Sequence, residues 1–138
     1  MEAEGKVAKQ VGGRGYYALV QLNCTDIGCN STVVTLEPSA VDDWYHRQGF
    51  VVAAIRGVQF ALDLAATSAQ CTITRIHGMP VDTSQRTVAI AAICATWLAI
   101  GFEPCSQLTE LLESILLKLP PLSLTEIERL LLATTKQS

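Results

Sequence analysis

The sequence predicts an α+β fold with elements in the order β-β-α-β-α, followed by a C-terminal helical hairpin. Residues 16–24 and 32–36 have the alternation and β-branched content typical of strands. Two helical segments, beginning near residues 50 and 82, carry small residues spaced four apart and flank a third alternating segment. After residue 105 the leucines repeat with helical period, which predicts the hairpin.

Composition limits the class of protein. The chain has 138 residues, enough for one domain with a buried core. Its net charge of −3 argues against a general nucleic-acid-binding surface, so we expect no nucleic-acid partner other than a ribosome. The first ten residues lack the apolar core of a secretory signal. The apolar run 88–102 is shorter than the roughly 20 residues that a membrane span needs. We therefore expect a cytoplasmic protein without a membrane partner.

The cysteines and histidines do not form a recognisable site. The five cysteines are odd in number and never fall in a C-x-x-C spacing, and only two histidines accompany them. We expect neither a metal site nor a disulfide framework, and we interpret Cys71 and Cys94 as small core residues. No phosphate-binding G-x-x-x-x-G-K-[ST] loop and no G-x-S-x-G elbow occurs. The expectation is a protein with no cofactor, no nucleotide, no catalytic residues and no enzyme activity.

The first half of the chain is predicted to contain two strands. Residues 1–12 mix charge with glycine, which favours a flexible arm or, alternatively, a ragged first strand. Tyr16–Cys24 alternates as a strand does. The Asp-, Gly- and Asn-rich segment Thr25–Ser31 predicts a turn. If that turn closes a hairpin, the β-branched strand Thr32–Leu36 runs antiparallel to the preceding one.

A helix is predicted from Phe50 to about Thr67, and a strand from Gln70 to His77. Gly57 inside the helix costs about 1 kcal/mol relative to alanine, which is tolerable if another backbone passes close to it. Alternation places Arg75 on the same strand face as two apolar residues. The small residues of the helix share one face: Ala53, Gly57, Ala61 and Ala65.

The next helix is predicted to begin after Asp82, as N-cap, with Gln85 as its capping-box partner. Gly101 stands where a left-handed C-terminal stop is expected. This helix also carries its small residues on one face, namely Ala91, Ala95 and Ala99.

Residues 103–138 are predicted to form the αα-hairpin, interrupted at Pro120-Pro121 and restarted by a capping box of Ser123 and Glu126. Its apolar side chains are expected to cover the open face of the sheet, or alternatively to bind a partner or a second copy. The candidate partner or oligomer surface consists of Leu108, Leu112, Ile115, Leu116, Ile127 and Leu131.

Residues 13–102 resemble domain IV of elongation factor G, the ribosomal translocase. The resemblance rests on A-x-x-x-G-x-x-x-A-L at Ala53–Leu62 and on G-R-G-Y-Y-A-L-V at Gly13–Val20. It continues through a strand, a glycine turn and an Ala-rich helix, matched by Cys71–Ile76, Gly78, Asp82, Ser84, Ala91, Ala92 and Ala95. No GTPase phosphate loop occurs in these residues, so the resemblance leads us to expect the domain without its GTPase.

The resemblance implies a two-layer sandwich with both helices on one face of a small sheet and a left-handed crossover around the first helix. In the family, the loop before the second helix lies at the domain tip and enters the ribosomal decoding region. The corresponding loop here, Gly78–Ser84, is shorter and has no histidine after its glycine, whereas His77 precedes it. The resemblance implies a non-enzymatic module that binds a ribosome or a translation partner.

Three sets of polar residues are candidate sites. The binding-loop set could bind an anion, or could supply only a strand-end charge pair and a helix cap: Arg75, His77, Gly78, Met79, Asp82, Thr83 and Ser84. A secondary set could stack on single-stranded RNA, or could be ordinary strand aromatics beside a charged arm: Arg14, Tyr16 and Tyr17. The third could be an acid/base cluster, or a solvated turn: Asp42, Asp43 and His46.

The sequence thus supports two functions. The first is a translation-related binding module that uses the loop before the second helix and the entry to the first strand. The alternative is a protein–protein interaction or scaffold module that self-associates through the C-terminal helices and has no role in translation.

Overall fold

The computed structural model describes residues 1–40, 49–79, 81–118 and 122–137. It is an α+β sandwich with an open, mixed four-stranded sheet, which confirms the predicted fold class. The elements, in chain order, are β1 (Glu2–Val11), β2 (Arg14–Thr25), β3 (Val33–Leu36), α1 (Phe50–Leu64), β4 (Gln70–His77), α2 (Gln85–Ile100), α3 (Ser106–Leu117) and α4 (Leu124–Gln137).

The sheet has the order β1-β2-β4-β3. Strand β1 pairs antiparallel with β2 along its whole length, from Glu2 opposite Asn23 to Val11 opposite Arg14. The two-residue connection is Gly12-Gly13, and both glycines have positive φ, 58° and 81°, as a tight hairpin requires. The prediction of a flexible arm over residues 1–12 is therefore wrong, and the alternative of a first strand is correct.

Strand β3 lies at the edge of the sheet and runs parallel to β4, with Val34 opposite Cys71. Strand β3 does not form a hairpin with β2, because β4 occupies the position beside β2, with Ile73 opposite Leu22. The direction of β3 is antiparallel to β2, as expected, since β4 runs antiparallel to β2 and parallel to β3. Strand β4 contributes fully buried side chains, whereas the short β3 is half-exposed. Placing β4 at the centre of the sheet therefore removes more apolar surface from water than placing the short β3 there would.

A bulge in β4 changes which side chains face the helices. Arg75 lies opposite Gln21 and Ile73 opposite Leu22, so Thr74 is an extra, unpaired residue. Beyond the bulge, Ile76 takes the buried face and is 3% exposed, while Arg75 is exposed. The prediction that Arg75 shares a face with Ile73 is wrong for this reason.

Helix α2 lies directly against two other backbones. A Cβ added at Gly5 of β1 would meet the Ala91 carbonyl oxygen and would lie 2.7 Å from the Ala95 nitrogen. A Cβ added at Gly57 of α1 would lie 2.7 Å from the Ala89 carbonyl oxygen. The predicted close approach at Gly57 is confirmed. The small-residue face of α1 meets α2, whereas the small-residue face of α2 meets β1.

A hydrogen bond also links the two helices: the Trp97 indole Nε1 donates to the Ala61 carbonyl oxygen at 3.1 Å. Both residues are buried. The bond satisfies the indole N–H inside the core, where an unpaired donor would be costly.

The N-cap of α2 is Ser84 and not Asp82. The Ser84 hydroxyl accepts from the Thr87 amide at 3.2 Å, and the Thr87 hydroxyl accepts from the Ser84 amide at 2.8 Å. Asp82 is instead tied to β2, because its carbonyl accepts from the Tyr17 amide at 3.0 Å. At the other end, Gly101 has φ 75°, which confirms the predicted left-handed stop.

Helices α3 and α4 pack mainly on α1 and α2, and an ion pair between Glu113 and Lys9 joins α3 to strand β1. An ion pair of 2.9 Å between Arg56 and Glu128 joins α1 to α4. The predicted capping box is confirmed, since the Ser123 hydroxyl accepts from the Glu126 amide at 3.2 Å and the Glu126 carboxylate accepts from the Ser123 amide at 3.3 Å.

The packing of this hairpin contradicts two predictions. It does not cover the open sheet face, and the residues proposed as its partner surface are buried within the chain: Leu108, Leu112, Ile115, Leu116, Ile127 and Leu131. The strand register directs mostly polar residues to the open face, together with the buried Leu19 opposite Lys6. The polar residues include Glu4, Lys6, Gln21, Asn23, Thr72 and Arg75.

The interpretation of Cys71 and Cys94 as small core residues is confirmed for Cys71 and holds in part for Cys94. All five are free thiols; Cys71 is buried, while Cys94 is half-buried against the core. Within the described ranges no group of His, Cys, Asp and Glu residues could hold a metal ion, and no helix is long and apolar enough to cross a membrane. The candidate cluster Asp42, Asp43 and His46 lies outside the described residues.

The glycine contacts predict the effect of adding a single methyl group. Gly5→Ala should lower the free energy of unfolding by about 3 kcal/mol, because backbone atoms of α2 must move. Gly57→Ala should lower it by about 1–2 kcal/mol, since the clash exceeds the gain in helix propensity. Urea denaturation measures both effects. Val52→Ala, at a side chain 60% exposed on α1, is the control and should change stability by less than about 0.5 kcal/mol. Unchanged stability in both glycine variants would contradict the close approach.

Candidate functional site

Two segments that are distant in sequence meet at one end of the sheet. We call this end the tip and define it as residues 13–17, 77–79 and 81–84. Gly15 of β2 packs against Asp82, so that an added Cβ would lie 2.6 Å from the Asp82 carboxyl carbon. A hydrogen bond from the Tyr17 amide to the Asp82 carbonyl also joins the two segments. The two candidate surfaces predicted separately therefore form one surface.

The Thr83 hydroxyl holds the loop to β2. It accepts from the Met79 amide at 2.7 Å and donates to the Tyr17 carbonyl oxygen at 2.7 Å. The Thr83 amide donates to the Met79 carbonyl at 3.1 Å. Thr83 is only 8% exposed, and Gly78 leaves room for it, because a Cβ there would lie 2.7 Å from the threonine side chain. Thr83 and Gly78 therefore shape the loop from inside.

The open-face side of the tip carries aromatic and cationic groups. The Tyr17 ring contacts the His77 ring edge-to-face, with centroids 5.7 Å apart and planes at 86°. Arg75 precedes His77 by two residues on β4, lies on the same face of the sheet and is exposed. A half-buried aromatic pair beside an exposed guanidinium can contact both a base or ribose and a phosphate.

The other side of the tip contains Arg86, which sequence reasoning missed. Arg86 is 5% exposed, and its Nη1 donates to the carbonyls of Ile115 at 3.0 Å and Lys118 at 2.6 Å. Its guanidinium carbon lies 5.9 Å from the centroid of the Tyr16 ring. Burial lowers the pKa of Arg86. The available signal was that Arg86 is the only charged residue in the segment 85–100.

Arg86 determines what Tyr16 can do. Tyr16 is 8% exposed and lies against the guanidinium. It is therefore an ordinary strand aromatic, as the alternative interpretation stated, and it is too deeply buried to stack on RNA. Arg14 remains exposed and lines a cleft of about 350 Å³ together with Arg86 and Asp82.

The loop itself carries exposed apolar side chains. Met79 is 46% exposed and Val81 is 92% exposed. Large apolar groups at such exposure are suited to contact with a partner surface, and Val81 lines the same cleft as Arg14. Ser84, by contrast, is used by the capping box of α2 and contributes to the shape of the tip.

The described residues of the tip carry few groups that could take part in acid–base or nucleophilic chemistry. The described tip residues include one carboxylate, Asp82, and one imidazole, His77. The imidazole contacts the Tyr17 ring, and the carboxylate packs against Gly15. No nucleophile and base lie side by side in the described part of the tip, in the arrangement that covalent catalysis requires.

Comparison with known proteins identifies the fold only. No protein-family model and no curated protein sequence matches the chain. Among solved structures, a crystal structure of a protein from Thermus thermophilus is similar over 69% of this chain, with a TM-score of 0.50 and 22% sequence identity. The present chain spans 14% of the length of that chain. At this identity the similarity concerns the fold and not the activity.

Thr83 offers a direct test of the tip. Thr83→Val should lower the free energy of unfolding by about 1–3 kcal/mol, because the Met79 amide and the Tyr17 carbonyl lose their buried partner. Thr83→Ser keeps the hydroxyl and should retain most of that stability. Urea denaturation gives the energies, and hydrogen exchange should be faster at the Met79 amide in the valine variant alone. Equal exchange in both variants would contradict the role assigned to the hydroxyl.

Arg86 is expected to attach the C-terminal hairpin. Arg86→Met removes both bonds to carbonyls at the end of α3 and should cost about 2 kcal/mol of unfolding free energy. Arg56→Met is the matched control: its ion pair with Glu128 is partly exposed and should contribute about 1 kcal/mol or less. Denaturation curves compare the two variants. A larger loss for the Arg56 variant would reverse the assignment.

Proposed function

We propose that the chain is a non-enzymatic binding module that contacts a ribosome through the tip, as its resemblance to domain IV of elongation factor G implies. The observation that carries the proposal is the junction of the Gly13–Tyr17 segment with the loop after β4. In the family, the corresponding loop enters the decoding region. The proposal includes a cytoplasmic location and neither a membrane nor a nucleotide partner.

The chemistry of the tip supports contact with structured RNA. Arg14 and Arg75 are exposed, and guanidinium groups bind phosphates with two parallel hydrogen bonds. Gly12 and Gly13 leave the backbone of the β1–β2 turn open, since no described atom lies within 4 Å of a Cβ added at either. A bare backbone can approach another surface closely. Because the net charge is −3, the attraction to RNA must be local to this end of the molecule.

The alternative, self-association through the C-terminal helices, receives less support. The side chains proposed for that surface lie in the core of the chain. On the described part of α4, the large apolar residues Leu130 and Leu132 are 39% and 41% exposed. Two such side chains are far smaller than a stable dimer interface requires.

Co-sedimentation with ribosomes tests the proposal. The full chain should pellet with ribosomes at low salt, and the double variant Arg14→Ala/Arg75→Ala should lose at least about tenfold in affinity, because each guanidinium contributes a charge-assisted contact. His77→Ala should weaken binding less. Arg129→Ala, at an exposed position on α4, is the control for loss of a surface arginine and should bind as the unmodified chain does.

Three outcomes decide between the functions. Free migration of the unmodified chain at low salt would end the ribosome proposal. Equal losses in the Arg129 and the Arg14/Arg75 variants would show a non-specific charge effect. A concentration-dependent dimer in light scattering that is lost in Leu130→Ser/Leu132→Ser would favour the scaffold function instead.

A further inference from the structure

Two cysteines face each other at the end of the sheet opposite the tip. Cys24 of β2 and Cys71 of β4 are direct partners in the antiparallel register. Their sulfur atoms are 2.7 Å apart. Both side chains are buried, with exposed fractions of 0% and 1%. The two thiols therefore have each other as nearest reactive group.

The backbone at this pair suits a covalent bond. Directly opposite residues of antiparallel strands have Cα atoms roughly 4.5–5.5 Å apart, within the range of about 4.4–6.8 Å found across disulfides. The side chains of Cys24 and Cys71 already point to the same face of the sheet, since both are buried under the helices. A bond between them requires little movement of either strand.

The two thiols are chemically unequal. The hydrogen bond from Cys71 lowers the pKa of Cys24, and the same bond raises the pKa of Cys71. Of the two thiols, Cys24 is therefore the one that ionises first. The pKa of Cys94, by contrast, is raised by burial.

We propose that Cys24 and Cys71 form a reversible dithiol–disulfide pair that joins β2 to β4 under oxidising conditions. With a small-molecule disulfide RSSR as oxidant, the Cys24 thiolate attacks one sulfur and releases RS⁻, leaving a mixed disulfide. The deprotonated Cys71 sulfur then attacks the Cys24 sulfur and releases the second RS⁻. The protein loses two protons and two electrons, and RSSR is reduced to two RSH.

The position of the bond determines its effect. The cross-link would close a loop of chain that contains β3 and α1, which restricts the unfolded chain and raises the melting temperature. The tip lies at the other ends of β2 and β4, so its contacts should persist in both redox states. Since both thiols are buried, oxidation requires local opening, most directly of the four-residue edge strand β3, where Val34 lies opposite Cys71.

The experiment equilibrates the full chain in glutathione buffers from reducing to oxidising and counts thiols by alkylation after denaturation. The count should fall from five to three, the mass should fall by two hydrogen atoms, and peptide mapping should link Cys24 to Cys71. The melting temperature should rise by on the order of 10 °C. Cys24→Ala and Cys71→Ala should each keep all four remaining thiols in the oxidising buffers.

Cys29→Ser is the matched control, because Cys29 lies in the turn after β2 and is half-exposed. It should still lose two thiols on oxidation. The proposal would be overturned by a disulfide mapped to Cys29, or by a count of five thiols in the most oxidising buffer. It would also be overturned by a melting temperature that falls on oxidation. Peptide mapping of the unmodified chain decides the matter even if the alanine variants do not fold.

Discussion

Helix α2 lies against two neighbouring backbones at once, closer than any side chain at those points would allow. Gly5 of β1 admits the backbone at Ala91 and Ala95, and Gly57 of α1 admits the backbone at Ala89. The helix is consequently buried between the sheet, α1 and the C-terminal hairpin. A helix that is apolar on nearly all sides is stable only where its neighbours cover it. The packing of the sheet and of α1 against α2 therefore depends on the close approaches at Gly5 and Gly57.

The position of α2 also places the tip. Its N-cap, Ser84, ends the loop that Thr83 holds against β2. Two residues further on, Arg86 connects the start of the helix to the end of α3 through two carbonyl groups. The same helical turn therefore orients the proposed binding surface and anchors the hairpin. Within an otherwise uncharged helix, the Arg86 guanidinium donates to the Lys118 carbonyl and to the Ile115 carbonyl, which also accepts from the Lys118 amide.

Several local features were predictable because they depend on neighbouring residues. The helix around Gly57, the stop at Gly101 and the capping box of Ser123 and Glu126 all follow from short-range geometry. One error, the N-cap of α2, concerns a choice between two near-equal local options. Asp82 and Ser84 are both good N-caps, and the choice fell to Ser84 because the backbone at Asp82 pairs with β2.

The amino-acid pattern alone established the order of the elements after residue 13, the small-residue faces and the α+β class, since these follow from periodicity and side-chain size. Strand pairing, the bulge at Thr74 and the site of the C-terminal hairpin depended on long-range packing. The bulge moves Arg75 to the open face, which also carries Glu4, Lys6 and Gln21. The C-terminal hairpin instead covers the apolar surfaces of α1 and α2 that face away from the sheet. Burying those surfaces lowers the free energy more than covering the polar side chains of the strands would.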